Sequence, residues 1–403
     1  MLRPIFVFSA INIESSPTGQ LEFKFVENLD KTKYNPIIIC YDGDFDAGRL
    51  LGCDSIAIHK NIVFKIFVSF VNKFGLSKYL NSPDLHHWYF ERKAKKIIDE
   101  LCKAQHFDYI HTISFPSSSH LVGLYAKRKY GLKWIAQLYD PWLDNVHVPL
   151  SKSMRKRNRI LEGEVAANAS KVLLDSDLLT KLWRERYSGI ISKSARARYQ
   201  TLPLATTIKP TESCHKNKNV VIISHIGNFY KQRMSLDFIK GVGLYMEKHP
   251  FDTERLKVNY IGRVTDAEVN LIKELNLNHI FNLVGTLHEE ECEDYYSQTD
   301  IFLAVDVNIP NNIFFPSKIL KYLYYKKPIL AITSKVSVMR DELMQAGHYV
   351  CNFGDTSAVS EFIYKALHDF NSIEIFNKDY CDKFKMSNVL SQYDAIVDDI
   401  IQD

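Results

Sequence analysis

Phe315-Pro316-Ser317-Lys318-Ile319-Leu320-Lys321-Tyr322-Leu323, followed after two tyrosines by Lys326-Lys327-Pro328-Ile329-Leu330-Ala331, sets the reading of the chain. A Pro-Ser pair closes an irregular stretch and opens a short helix, and a continuous apolar strand follows. Pro suits the start of a helix and Ser suits its N-cap. The unpaired N–H groups at such a start attract anions, and Lys318 in the first turn adds a formal charge.

The same alternation extends outward in both directions. The expected strands are Ile5–Phe8, Pro36–Cys40, Tyr109–Thr112, Trp134–Leu138, Val172–Leu174 and Tyr199–Leu202. A polar stretch containing Pro210, Thr206–Asn219, reads as a linker. A second series comprises Val220–Ile226, Lys257–Ile261, Ile280–Val284, Ile301–Ala304, Ile329–Ile332 and Tyr349–Cys351. Helices are expected between strands at Ser235–Met246, Asp266–Leu275, Glu289–Ser297 and Ala358–Leu367, and the tail Ile373–Asp403 reads as helical. Continuous apolar strands alternating with helices imply parallel sheets covered on both faces. The expectation is an α/β protein: residues 1–205 and 206–375 as two Rossmann-like domains facing across a cleft, then a helical tail, 376–403. Ligands in such sheets bind at the carboxyl ends of the strands. Both halves begin with a strand, a glycine-containing loop and a helix, with Gly19 in the first and Gly227 in the second.

Composition narrows the function classes. A chain of 403 residues with 46% hydrophobic and 24% charged residues is an ordinary globular protein of about two domains. A net charge of +4 gives no reason to expect a nucleic-acid partner. The seven cysteines are scattered singly, which indicates neither a zinc site nor a redox motif and fits a reducing compartment. The apolar run at Pro4–Phe8 reads as a first buried strand rather than a signal peptide, and no segment is long and apolar enough to span a bilayer. The expected location is cytoplasmic.

Several motifs carry possible chemistry. Gly227 follows an apolar run and lets the backbone turn tightly, and Arg233 near the next helix can bind phosphate through a bidentate fork. Gly262-Arg263 and Gly285-Thr286 end two further strands; rim contacts and simple turns are both open readings for them. Asp140, in Gln137-Leu138-Tyr139-Asp140-Pro141-Trp142, stands at the carboxyl end of a strand. His111 is expected to end the preceding strand, and His120 to lie at the start of the next helix. Either can serve as an acceptor contact or proton relay, or be structural. The stretch Asn61–Lys96 mixes an apolar helix with His86-His87-Trp88-Tyr89-Phe90 and with Arg92, Lys93, Lys95 and Lys96. It fits an anionic lipid surface, or a core-facing helix with a solvated basic side. The run Lys152, Arg155, Lys156, Arg157 and Arg159 reads as a solvated helix face. No Asp-x-Asp metal motif adjoins the Gly227, Arg233 or Lys318 segments, and basic groups can neutralise a leaving diphosphate without a metal cofactor.

Pro316-Ser317-Lys318 and the residues after it closely resemble the donor-site signature of group 1 (family 4) glycosyltransferases, in which Pro-Ser-Lys-x-x-Glu-Tyr-x-x-x-x-Lys-Pro is common. Gly227 through Arg233 resembles that family's Gly-x-x-Tyr-x-x-Arg loop, and Asp140-Pro141-Trp142 its acceptor-side element. Ser15–Gly19 resembles its first glycine loop. The resemblance runs over nearly the whole chain. It implies a GT-B fold with the tail packed on the first domain, and a nucleotide-diphosphate sugar donor held by Gly19, Gly227, Arg233, Arg263, Gly285, Thr286, Pro316, Ser317 and Lys318. It also implies transfer, with retention, to a glycan or lipid-linked acceptor in polysaccharide or lipopolysaccharide assembly at the cytoplasmic membrane face. Asp140, with His111 or His120, would position that acceptor. The chain departs from the family at two positions: Ile313 and Lys321 replace carboxylates around the donor sugar and ribose. A lysine offers only donors to a ribose diol. Three outcomes follow: a donor held differently, Lys321 paired with an extra phosphate or acidic group, or loss of transfer in a regulatory partner of another transferase. A nucleotide-sugar epimerase of the same fold is a further alternative.

Overall fold

The computed structural model describes residues 1–8, 17–41, 51–59, 62–74, 85–114, 117–146, 150–189, 197–207, 219–230, 233–373, 375, 377 and 379–402. They form two compact units, Met1–Thr207 with Phe384–Asp403, and Ile208–Lys383.

The first unit runs β1 (Pro4–Val7), α1 (Pro17–Glu27), β2 (Ile37–Tyr41), β3 (Asp54–Ile58), α2 (Ile62–Lys73), α3 (Leu85–Ala104), β4 (Tyr109–Ser114), α4 (Ser118–Tyr130), β5 (Lys133–Leu138), α5 (Lys152–Asn168), β6 (Lys171–Leu174), α6 (Asp177–Arg186) and β7 (Tyr199–Thr201). Its sheet has the order β3-β2-β1-β4-β5-β6-β7, and every pairing among the described residues of that sheet is parallel. β1 is central, with Ile5 in register with both Ile37 and Ile110, and all four of its residues are buried. A strand covered on both faces explains the continuous apolar run that marked it in the sequence.

In the second unit the order is β8 (Val221–Ile226), α7 (Leu236–Lys248), β9 (Leu256–Ile261), α8 (Asp266–Glu274), β10 (Phe281–Gly285), α9 (Glu289–Gln298), β11 (Ile301–Val305), β12 (Asn311–Asn312), α10 (Lys318–Tyr324), β13 (Ile329–Thr333), β14 (Val336–Ser337), α11 (Val338–Gln345), β15 (Tyr349–Asn352) and α12 (Thr356–His368). The parallel sheet has the order β10-β9-β8-β11-β13-β15. The strand order therefore reverses between β8 and β11, as it does between β1 and β4 in the first unit. Such a reversal opens a crevice at the strands' carboxyl ends.

The last helix, α13 (Met386–Gln402), belongs to the first unit. Its stripe Met386, Val389, Tyr393, Ile396, Val397 and Ile400 shares a core cluster with Phe6, Phe25, Tyr34 and Tyr109. Tyr393 Oη lies 3.0 Å from Tyr109 Oη and 2.9 Å from His111 Nδ1. Lys33 and Lys171 add ion pairs to Asp398 and Asp399. Thr206, placed in the linker by the sequence, is stitched to the returning chain: its N–H donates to the Phe384 carbonyl at 2.9 Å and its carbonyl accepts from Met386 N at 3.1 Å. Residues 208–218 of that stretch, and Ser15 and Ser16 of the first glycine loop, lie outside the described residues.

Tyr393→Phe removes a hydroxyl that links two buried polar groups, Tyr109 Oη and His111 Nδ1, and leaves His111 Nδ1 unpaired. The expected cost is about 1–3 kcal/mol, read as a lower denaturation midpoint in urea with an unchanged slope.

Candidate functional site

The strand-order reversal in the second unit places β8 beside β11. His225, the penultimate residue of β8, turns its Nδ1 to the Leu303 carbonyl of β11 at 2.9 Å. A carbonyl only accepts, so Nδ1 carries the proton and Nε2 presents a lone pair. That lone pair faces Lys318 Nζ at 3.2 Å. The ring stacks on Phe229 at 4.1 Å, and burial followed by the Lys318 charge holds His225 neutral, with a pKa well below its ordinary value. The strand end itself is fixed by Tyr322 of α10, whose hydroxyl accepts from Ile226 N at 2.9 Å and donates to Ile226 O at 3.3 Å.

Gly227 comes next, with φ at +145°, and a β-carbon there would stand 2.8 Å from Lys318 Nζ. The glycine is therefore a spatial requirement of the lysine's placement as well as a turn residue. Gly262, at the end of β9, has φ at +121°, and a β-carbon there would stand 2.4 Å from the Gly227 carbonyl. Gly262 N in turn donates to Gly285 O at 2.7 Å, so the three strand ends lie side by side.

Lys318 keeps partial solvent access, yet its charge lies deep among protein atoms, and that depth governs its desolvation. Burial, then the Arg233 charge, lowers its pKa to about 7, against the pull of Asp306. Arg233 is held by reciprocal backbone hydrogen bonds with Tyr230, at 2.8 and 3.1 Å, and its guanidinium lies 5.3 Å from the Tyr230 ring centre. Its buried Nε has no hydrogen-bond partner among the described residues. Asp306, fully buried just after β11, accepts from Val307 N at 2.8 Å, from Thr333 and Ser337 hydroxyls at 2.7 Å each, and from the Asn312 amide. Burial raises its pKa while the donors and Arg233 oppose the rise. Two neighbouring cations with an unused donor and one fully engaged carboxylate form a site that lacks negative charge.

The other sequence-predicted residues of this unit fall around that centre. Arg263 has an exposed side chain; its backbone N–H binds Asn228 Oδ1 at 2.8 Å, and its carbonyl accepts from Phe229 N at 2.8 Å. Gly285 is the last residue of β10, and Thr286 after it is exposed. Pro316 is buried. Ser317 sits at the N-cap position but in right-handed helical geometry, with no side-chain cap bond. The expected Ser cap is therefore not formed, and the turn is closed by Ile319 N to Pro316 O at 2.9 Å. With α10 only seven residues long, the side-chain cations outweigh its dipole. Ile313 is buried. Lys321 points to α9, 3.5 Å from Glu289 Oε1 and 3.4 Å from Glu293 Oε2, with Nζ 4.3 Å from the Tyr296 ring centre. Lys321 therefore pairs with acidic residues of the facing helix.

In the first unit, His111 lies inside β4 rather than at its end. It packs against Phe6 and Tyr393 in the core, and burial lowers its pKa to about 3. His120 is buried in α4, its Nδ1 2.8 Å from Thr112 Oγ1, with a pKa also lowered to about 3 by burial. Both keep an unpartnered Nε2. Asp140 follows β5, and burial raises its pKa. The segment after it is fastened to α5: Trp142 Nε1 donates to Asn158 Oδ1 at 2.7 Å, and Leu143 N to Glu162 Oε2 at 2.9 Å. Gly19 lies buried in α1. Glu22, also on α1, was not legible in the sequence. Its carboxyl is buried, its Oε2 has no partner, and burial alone raises its pKa well above the ordinary value. Together with Gln137 Oε1 and Ser118 Oγ, also unpartnered, it contributes unsatisfied polar atoms at this end of the first sheet.

His225 and Asp306 were missed as site residues because each ends an apolar strand and carries no motif of its own. Spacing gave one available signal: each lies at the carboxyl end of a strand flanking the reversal. The Lys318 amine is expected to titrate near pH 7, read from the shift of its ε-carbon, and Arg233→Gln raises that value. The depressed pKa also has a stability sign. The unfolded state binds the proton up to about pH 10.5, so the unfavourable contribution is complete below about pH 7 and is relieved as pH rises towards the unfolded value. Lys318→Met flattens that dependence in denaturant titrations over the same range.

No family model and no curated protein matches the sequence. Solved structures do match it. A glycosyltransferase from Rickettsia africae superposes with a TM-score of 0.68 at 14% identity, over 100% of this chain and 99% of that one. Alr3699/HepE from Anabaena, solved with UDP and glucose, gives 0.65 at 11% identity, over 99% and 100%. The lipopolysaccharide outer core galactosyltransferase WaaB gives 0.66 at 12% identity, over 98% and 99%. The two parallel sheets and this end-to-end likeness give the chain the GT-B fold.

Proposed function

We propose that this protein is a nucleotide-sugar glycosyltransferase of the group 1 (family 4) type. The observation that carries the proposal is the pair of Lys318 and Arg233 at the strand-order reversal, with a buried guanidinium donor left unpaired. A nucleoside diphosphate supplies the missing negative charge. On transfer, the bond from the anomeric carbon to the diphosphate breaks with its electrons on the phosphate oxygen, where the two cations stabilise them. The acceptor hydroxyl forms the new bond to the anomeric carbon and gives its proton to the departing phosphate oxygen. Anomeric retention is part of the same reading. Asp140, whose pKa burial raises, is assigned to positioning the acceptor by hydrogen bonding to its hydroxyl. His225 holds Lys318 and takes no part in proton transfer. The two cations stand in for the divalent ion that other diphosphate sites use.

HepE was solved with UDP and with UDP-glucose, and this supports the uridine nucleotides as first probes. Titration with UDP and a panel of nucleotide sugars is expected to give saturable binding, and donor hydrolysis or transfer for at least one sugar. Arg233→Ala weakens binding by about 10–100-fold, the worth of one to two charge-assisted hydrogen bonds. Above about pH 7 binding must return a proton to Lys318, so affinity falls with pH and Lys318→Met removes the slope. Added Mg²⁺ leaves the affinity unchanged. The pairing of Lys321 with Glu289 and Glu293 favours one second reading, a GT-B partner that binds nucleotide without transfer. Binding without turnover across the panel would select it, and absence of any binding would sink both.

We also propose that the acceptor is lipid-linked and that the first unit rests on an anionic membrane surface, as in polysaccharide assembly. α2 buries Phe64 and Val71 against Trp88 and Tyr89 but leaves Ile62, Ile66 and Phe70 exposed at four-residue spacing, with Phe67 beside them and Phe74 just beyond. Arg92 and Lys93, over the Trp88 and Tyr89 rings, supply positive charge nearby. Among the described residues no helix is long and apolar enough to cross a membrane. Flotation with phosphatidylglycerol vesicles is expected to carry the protein, phosphatidylcholine vesicles to carry little, and Ile66→Ser with Phe70→Ser to abolish it. Equal flotation of that variant would refute the assignment.

A further inference from the structure

At the opposite end of the second sheet from the nucleotide site, where β9 begins, three metal-ligating side chains converge. His249 caps α7, Asp252 ends the 3₁₀ turn Pro250–Asp252, and His368 is the last residue of α12. One donor atom from each lies within 4.8 Å of the others. We propose that His249, Asp252 and His368 form a site for a single Zn²⁺ ion, distinct from the diphosphate site and tying α7 to α12.

The local chain explains the convergence. Asp252 N donates to His249 O at 3.2 Å, so the His-x-x-Asp stretch is one 3₁₀ turn and its first and last side chains share a face. The third ligand is brought in by helix packing. A β-carbon at Gly241 on α7 would stand 2.4 Å from Val359 Cγ1 on α12, so the two helices touch along their length and their ends stay in fixed relation.

Two imidazoles and a carboxylate are a zinc ligand set, with the fourth position left for water. At ordinary zinc–ligand lengths, tetrahedral donors lie about 3.4 Å apart. Asp252 Oδ2 and His368 Nε2 are already 3.0 Å apart. Supporting contacts orient the ligands, as metal sites require. Arg255 Nη1 holds Asp252 Oδ1 at 3.0 Å and its other nitrogen donates to the Leu367 carbonyl, which turns Oδ2 towards His368 and towards the Tyr245 hydroxyl, itself 3.1 Å from His368 Nε2 and displaced when an ion enters. Tyr245 donates to Asp252 Oδ2 and its ring stacks on His249 at 4.7 Å. In the ion's absence a proton on His368 Nε2 fills the gap to the carboxylate. Binding moves that proton to Nδ1 and gives the Nε2 lone pair to the metal.

The test uses the full chain after dialysis against a chelator. Titration with Zn²⁺ against a chromophoric competitor is expected to show one saturable site, with a melting midpoint raised by several degrees at saturation. Co²⁺ in its place is expected to give the visible absorption of a four-coordinate N/O site. His368→Gln and His249→Gln each weaken Zn²⁺ at least tenfold, with UDP titration checking that both remain folded. Absence of saturable uptake, or undiminished uptake by the double variant, overturns the proposal. UDP binding that survives the double variant keeps this outcome separable from the fate of the diphosphate site.

Discussion

Two like charges held next to each other inside a protein set the terms for the second unit. Lys318 and Arg233 raise one another's cost, and burial adds to it, which brings the lysine's pKa down to about 7. The neighbouring structure prevents the pair from relaxing outward. A backbone bridge to Tyr230 fixes Arg233, the His225 lone pair receives the lysine ammonium, and Gly227 clears the volume the ammonium fills. The one buried carboxylate within range, Asp306, spends its lone pairs on the Val307 amide, the Asn312 amide and two hydroxyls rather than forming a salt bridge. Had it paired with Lys318, that ammonium would already have its counter-charge and only Arg233 would be left for an anion. The unused charge is what suits the crevice at the β8–β11 reversal to an anion.

Much of the fold was legible because its strands are buried on both faces. β1, β11 and β13 are continuous apolar runs whose sequence limits agree with the structure to within two residues. The elements missed lack that signature. β3 opens on an aspartate and is largely half-exposed at the sheet edge, and β12 and β14 pair through only two residues each. α11 follows β14 directly and is capped by Ser337, with no polar gap to announce it. The linker was placed too early because Thr206 is polar, yet its backbone pairs with Phe384 and Met386, a contact 180 residues away in sequence order that no local pattern records.

The site divides in the same way. Gly227, Arg233 and Lys318 were legible because their roles follow from local backbone geometry and charge. The partners that tune them come from elsewhere: His225 from the previous strand, Asp306 from β11 and Tyr322 from the next turn of α10. Lys321 shows the limit most directly. Its identity marked a departure from the family pattern, but its pairing with Glu289 and Glu293 depends on α9 lying beside α10. The lysine at the position where the resembled signature has a carboxylate is thus accompanied by two acidic residues on the facing helix, which supply its counter-charge within the unit.

The polar ends of the two sheets differ in sign, and the difference follows from which groups burial acts on. In the second unit burial acts on cations and leaves an unmet demand for negative charge. In the first unit it acts on Glu22, Asp140, His111 and His120, and in each case it favours the uncharged form. Buried groups whose uncharged forms are favoured attract anions weakly and suit neutral donors and acceptors such as sugar hydroxyls. Burial thus gives the two ends opposite chemical preferences, one for an anion and one for neutral polar groups, and the glycosyl transfer proposed for this chain calls on both.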